Sequence, residues 1–176
     1  MVLHRRQFLA TGLMFAATLA LPLRQALASR HRSLSLKNLQ TGEKLNIVYW
    51  ADGTHIGSAC RQIDWILRDH WSGEVAPIAP QLLDLLYVLR TSLHTEGPFE
   101  VASAYRSSKT NAALAKKSVG VARNSLHTRG MAVDIQVPGC PLARVRNQAV
   151  ALKLGGVGYY PKGGFVHVDV GRVRHW

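Results

Sequence analysis

Two segments near the C-terminal end alternate apolar and polar positions with a period of two: Ala132-Val133-Asp134-Ile135-Gln136-Val137 and Val166-His167-Val168-Asp169-Val170. A β-strand sends successive side chains to opposite faces, so each segment predicts a strand with one greasy face and one face carrying Asp134, or His167 and Asp169. Elsewhere the pattern is mixed. Residues 33–39 and 45–50 read as strands around a hairpin turn at Gln40 to Lys44, which contains Thr-Gly-Glu. Residues 61–71 space Ile63, Ile66 and Leu67 for one helix face. Pro80 opens a second helix, in which Leu82, Leu83, Leu85, Leu86 and Leu89 recur at helical intervals and mark the central core element. A strand over 99–105, helices over 109–117 and 142–152, and a closing pair of strands at 155–161 and 165–171 complete the order. The order predicts an α+β domain, a mostly antiparallel sheet with flanking helices.

The first 28 residues do not belong to that domain. Arg5 and Arg6 precede an apolar stretch from Phe8 to Leu23, followed by Ala26-Leu27-Ala28, which is the layout of a signal peptide. The stretch falls short of the roughly 20 apolar residues a membrane span needs, and Thr11, Gly12 and Thr18 dilute it. "RRQFLA" has the form of a twin-arginine export signal, and no Cys follows the small residues to accept a lipid. The expectation is a signal at 1–28, a single domain at 29–176, and a periplasmic protein with no stable membrane insertion after cleavage. We expect a monomer.

Charge and cysteine content narrow the partners. Removing residues 1–28 takes away Arg5, Arg6 and Arg24 and no acid, so the formal charge falls from +12 to +9. The mature chain favours anionic partners, among which the cell-wall polymer fits an exported protein and nucleic acid does not. Cys60 and Cys140 are far apart and outside any C-x-x-C pair, which argues against a thiolate metal site and leaves one disulfide or two free thiols. Trp50, Trp65 and Trp71 are expected in the core. His55, His70 and His94 lack partners at ligand spacing and are expected at the surface.

Asp134 and His167 need a partner, because an isolated carboxylate or imidazole beside an apolar core costs several kcal/mol. A metal ion supplies one. His127 precedes Asp134 by seven positions in a loop ending at Gly130, and two imidazoles with one carboxylate make a three-ligand set suited to catalytic zinc with one position open to water. The other arrangement the spacing allows is a hydrogen-bonded Asp134–His167 pair with His127 on a surface loop.

The segments "LSLKNLQTGEKL", "SAYRS" with "KTN", "SLHTRGMAVDI", "GGVGYYP" and "FVHVDVGRVRHW" together resemble the LAS-type zinc peptidases of peptidoglycan, which include D-alanyl-D-alanine carboxypeptidases and the murein endopeptidase K-like enzymes. The resemblance covers most of the chain after the signal. It implies one Zn2+ held by His127, Asp134 and His167, and hydrolysis of stem-peptide cross-links containing D-alanine or meso-diaminopimelate. It also implies that Arg106 positions a substrate carboxylate or the developing oxyanion; a structural salt bridge is the plainer role for that residue. Several relatives carry an acid or His two or three positions before the last ligand, where Gly164 and Phe165 stand here. Asp169, two residues after His167, is therefore a candidate general base or a group that orients a ligand. His175 is a second candidate for proton transfer, or else a packed residue near the chain end.

Overall fold

The computed structural model describes residues 28–117 and 121–176; the predicted signal at 1–28 lies almost wholly outside them. The elements run β1 (His31–Asn38), β2 (Lys44–Ala51), β3 (Thr54–His55), α1 (Gly57–Ile66), α2 (Pro80–Leu93), β4 (Phe99–Ser103) and α3 (Ser108–Lys117). A 3-10 turn at Leu126–Arg129, β5 (Ala132–Gln136), α4 (Leu142–Leu152), β6 (Gly156–Tyr160), β7 (Phe165–Asp169) and β8 (Arg174–His175) follow. All eight strands form one sheet in the order β3-β2-β1-β4-β5-β7-β6-β8.

The α+β class holds, but the sheet is mixed rather than mostly antiparallel: β1 runs parallel to β4, and β6 parallel to β8. The physical reason lies in the connections. Between β3 and β4 the chain passes through α1 and α2, and such a crossover returns a strand in the parallel sense. After β7 the chain steps over β6 and lays β8 along its far side. Glycine makes this step feasible. A Cβ on Gly155 would collide with the Asp169 carbonyl, and one on Gly156 with the side chains of Asp169 and Arg174.

The core lies on one face of the sheet. Ile63 and Ile66 of α1, the leucines of α2, and Val145 and Ala149 of α4 pack with Leu34, Leu36, Val101, Val133, Ile135, Val166 and Val168. Burying a leucine or valine is worth about 1.5–3 kcal/mol, so this cluster fixes the strands that carry the polar face. α2 bears out the leucine periodicity, with Pro80 in its first turn and His94 closing it in the left-handed conformation. α1 starts four residues before the expected Arg61 and ends at Ile66.

Two tryptophans depart from expectation. Trp65 and Trp71 are exposed, and only Trp50 packs partly against the core. On α1 the inward positions belong to Ile63 and Ile66, which turns Trp65 outward beneath the Arg68 guanidinium, 4.2 Å from the ring centroid. His94 is exposed, whereas His55 and His70 are half-buried. Cys60 and Cys140 are free thiols. Among the described residues no helix is long and apolar enough to cross a membrane.

Candidate metal centre and its cleft

The polar face of the β5–β7 ladder is where the chemistry collects. Register sets Asp134 opposite His167 and Ala132 opposite Asp169, so the alternation read from the sequence places Asp134, His167 and Asp169 on the side away from the core. His127 arrives from the 3-10 turn. The Ser125 side chain accepts from the His127 backbone N–H at the start of that turn, and Gly130 ends it in the left-handed region at φ 63°. A Cβ at Gly130 would also strike the Pro77 carbonyl, so glycine serves both conformation and close approach there.

Three ligand atoms converge. His127 Nε2 lies 3.2 Å from His167 Nδ1 and 3.3 Å from Asp134 Oδ1, and His167 Nδ1 lies 2.9 Å from that oxygen. Ligands at 2.0–2.2 Å from a tetrahedral zinc stand about 3.3–3.6 Å apart, so the triangle fits such an ion after opening by a few tenths of an ångström. Asp134 and both imidazoles are buried at the inner end of a cleft.

The outer atoms are fixed by the protein. His127 Nδ1 donates to the Ala104 carbonyl at 2.6 Å, which leaves Nε2 with its lone pair toward the triangle. His167 Nε2 donates to Asp169 Oδ2 at 3.1 Å, and Arg106 Nη2 donates to Asp134 Oδ2 at 3.1 Å. Such partners hold ligand rings in one tautomer and orientation. With both rings neutral in this tautomer, three acceptors face inward, a poor arrangement for a core and a suitable one for a cation; without a cation, a proton on His167 takes its place between Nδ1 and Asp134. The chemistry of the donor set therefore fits a metal.

Charge in the cluster follows the same geometry. Burial lowers the His127 pKa because the imidazolium would lose its hydration, and Asp134 opposes this only in part. For His167 burial is outweighed by the carboxylates of Asp134 and Asp169 on either side, and the pKa rises. Asp134 would rise on burial, but His127 and His167 hold it well below the ordinary carboxylate range.

Asp169 lies beside His167 with its oxygens engaged. It is 0% exposed, and its oxygens accept from His167, from the backbone N–H groups of Gly156 and Gly171, and from two nitrogens of Arg174. These donors hold its pKa far below the usual range against the opposing effect of burial. A carboxylate so engaged has its acceptors occupied by donors of the chain itself. His175 is not brought to the cleft. The pairing of β8 with β6 turns Arg174 and Trp176 toward the cleft and leaves His175 exposed outside it.

The cleft measures about 290 Å³, and its walls include Arg106, Leu126, Tyr160, Phe165, Arg174 and Trp176. Tyr160 stacks on Phe165 with ring centroids 4.8 Å apart, and Trp176 Nε1 donates to the Tyr160 hydroxyl at 2.8 Å. Phe165 thus fills an aromatic wall where several relatives of the resembled family place an acid or His. Among the described residues Asp134 is the single carboxylate lining the cleft. Arg174 and Trp176 went unassigned in the sequence, although "RVRHW" carries the signal: a period of two puts them on one side of β8.

A family model described as peptidoglycan L,D-endopeptidase MepK matches residues 26–176. The chain belongs to this MepK family. It is 39% identical over 176 residues to the peptidoglycan L,D-endopeptidase MepK of Escherichia coli (strain K12), covering 98% of this chain and 97% of that protein. The MepK of Shigella flexneri matches to the same extent. A probable peptidoglycan L,D-endopeptidase MepK of Haemophilus influenzae is 34% identical over 177 residues, covering 98% of this chain and 95% of its own length. In this member of the MepK family the matched region includes every element from β1 to β8.

Proposed function

We propose that the chain is a zinc-dependent murein endopeptidase that hydrolyses a peptide bond between L- and D-configured centres in peptidoglycan cross-links, outside the cytoplasm. Family membership supports the reaction class. The observation that carries the mechanism is the convergence of His127 Nε2, Asp134 Oδ1 and His167 Nδ1 at the buried end of an open cleft. These three residues would hold the metal. Once bound, zinc supplies a water acidified to near-neutral pKa and Lewis-acid polarisation of the scissile carbonyl.

The remaining tasks fall to the chain's own groups. Arg106 uses Nη2 on Asp134 and Nε on the Ser103 hydroxyl, and keeps Nη1 for a ligand in the cleft it lines. That nitrogen is suited to a substrate carboxylate or to the oxygen on which negative charge grows. Asp169, clamped by Arg174, keeps the His167 ring turned so that Nδ1 faces the triangle. The Tyr160–Phe165–Trp176 wall excludes water and holds the aliphatic part of a stem-peptide side chain. The export signal at 1–28 and a periplasmic site of action belong to the same proposal, as does a single domain over 29–176.

Digestion of purified sacculi tests this reading. Mature protein is applied as prepared, after chelation, and after zinc is restored, and the released muropeptides are separated by chromatography. Cross-linked dimers should fall to monomers in the first and third conditions only. Co-sedimentation without fragments in any condition would identify a wall-binding module instead.

A further inference from the structure

A second groove lies beside the cleft. One face of α3 presents Ser108, Asn111, Ala112, Ala115 and Lys116, the helical stripe i, i+3, i+4, i+7 and i+8. Across from it run residues 123–129, and the space between measures about 780 Å³. The two alanines give the groove its depth. Asn124 and Ser125 line both this groove and the cleft, so the two are adjacent.

Its charge is one-sided. Between Val101 and Val133 the sequence holds no Asp or Glu and six cations: Arg106, Lys109, Lys116, Lys117, Arg123 and Arg129. Three of them, Lys116, Arg123 and Arg129, border the groove, and none makes an ion pair among the described residues. The far wall is fastened in place: the buried Asn111 donates from Nδ2 to the carbonyls of Ala122 and Arg123 at 3.0 and 3.1 Å. Among the described residues no aromatic side chain lines the groove, which removes the stacking platform that single-stranded nucleic acid needs. Hydroxyl and amide groups with unpaired cations suit a peptide bearing free carboxylates.

We propose that this groove is a recognition subsite for the free carboxylates of a stem peptide on one side of the scissile bond, with Arg123 and Arg129 as the principal contacts and Lys116 as a third. The inference rests on the reading of the chain as a stem-peptide hydrolase. It adds which part of the substrate is read, and where. The cations lie outside the metal triangle and its hydrogen-bond partners, so they act on binding and not on zinc.

Calorimetric titration of zinc-loaded protein with a soluble disaccharide tetrapeptide prepared from sacculi, and with the same molecule after its carboxylates are amidated, tests the subsite. Wild type should bind the carboxylate form at least about tenfold more tightly than the amide form. The Arg123→Gln/Arg129→Gln variant should lose that preference while keeping its zinc content, its circular dichroism and its affinity for the amide form. Equal preference in variant and wild type, equal losses for both ligands, or no preference in wild type would each overturn the subsite. Cleavage of sacculi without any carboxylate preference would sink the subsite alone. Carboxylate-dependent binding without cleavage would sink the hydrolase and leave an anionic-peptide groove.

Discussion

Asp69 and Asp134 are both buried acids held well below the ordinary carboxylate range, yet the atoms around them differ. Asp69 accepts from the backbone N–H groups of Trp71 and Ser107, each at 2.9 Å, and so ties the segment after α1 to the start of α3. Every partner it has is a donor. Asp134 instead shares its space with two imidazole nitrogens whose outer partners, the Ala104 carbonyl and the Asp169 carboxylate, turn lone pairs inward. Burial and a depressed pKa do not separate an acid that ties backbone together from one placed in a candidate metal site. The kind of atom facing it does.

Removing either inner group from the triangle should have the largest effect. Asp134→Ala and His167→Ala are expected to lose bound zinc and to release fragments from sacculi at less than about one thousandth of the wild-type rate, with circular dichroism unchanged. Retention of activity in a zinc-free His167→Ala protein would erase the distinction from Asp69. The second effect in size concerns Asp169. Asp169→Ala should weaken zinc binding by about 10–100-fold, measured by competition with a chromophoric chelator, and excess zinc should restore most of the turnover. If turnover stayed lost in fully loaded protein, Asp169 would have a direct part in the chemistry.

The structural acid predicts the opposite profile. Asp69→Ala leaves the buried Ser107 N–H and the part-buried Trp71 N–H without acceptors, a cost of about 1–3 kcal/mol seen as a Tm several degrees lower, while zinc content is retained. Its pH dependence follows from the sign of the shift. A folded pKa below the unfolded value of about 3.9 contributes stability that is complete above that value and is lost as pH falls through the folded one. Denaturant midpoints measured from pH 6 to pH 2 should therefore fall less steeply in Asp69→Asn than in wild type. The smallest expected effect belongs to the thiols: reductant should shift Tm by less than about 1 °C, since Cys60 and Cys140 are not bridged.

What could be read in advance follows from local periodicity. Period two in β5 and β7 located Asp134 and His167 on a common face, and the leucine spacing located α2, because both patterns depend only on near neighbours in the chain. The direction of β4 and β8 depends on how α1, α2 and the step over β6 return the chain, which no local pattern records. The anchor for His127 is a backbone carbonyl, at Ala104, and carbonyls have no residue signature. Asp169 was expected as a general base or an orienting group because it lies two residues from His167; its partners Arg174, Gly156 and Gly171 come to it only once β8 is laid beside β6. Trp65 and Trp71 were expected inside, yet α1 offers its inward positions to Ala59, Ile63 and Ile66, and Trp71 falls in the turn beyond that helix.

The central claim is that the triangle is a metal site made of two imidazoles and one carboxylate. Zinc content of the purified mature protein, combined with X-ray absorption at the zinc edge, tests it most directly. The account predicts one zinc per chain with only nitrogen and oxygen neighbours near 2.0–2.2 Å, lost in His127→Ala. Sulfur at about 2.3 Å, or no stoichiometric zinc in active protein, would contradict it.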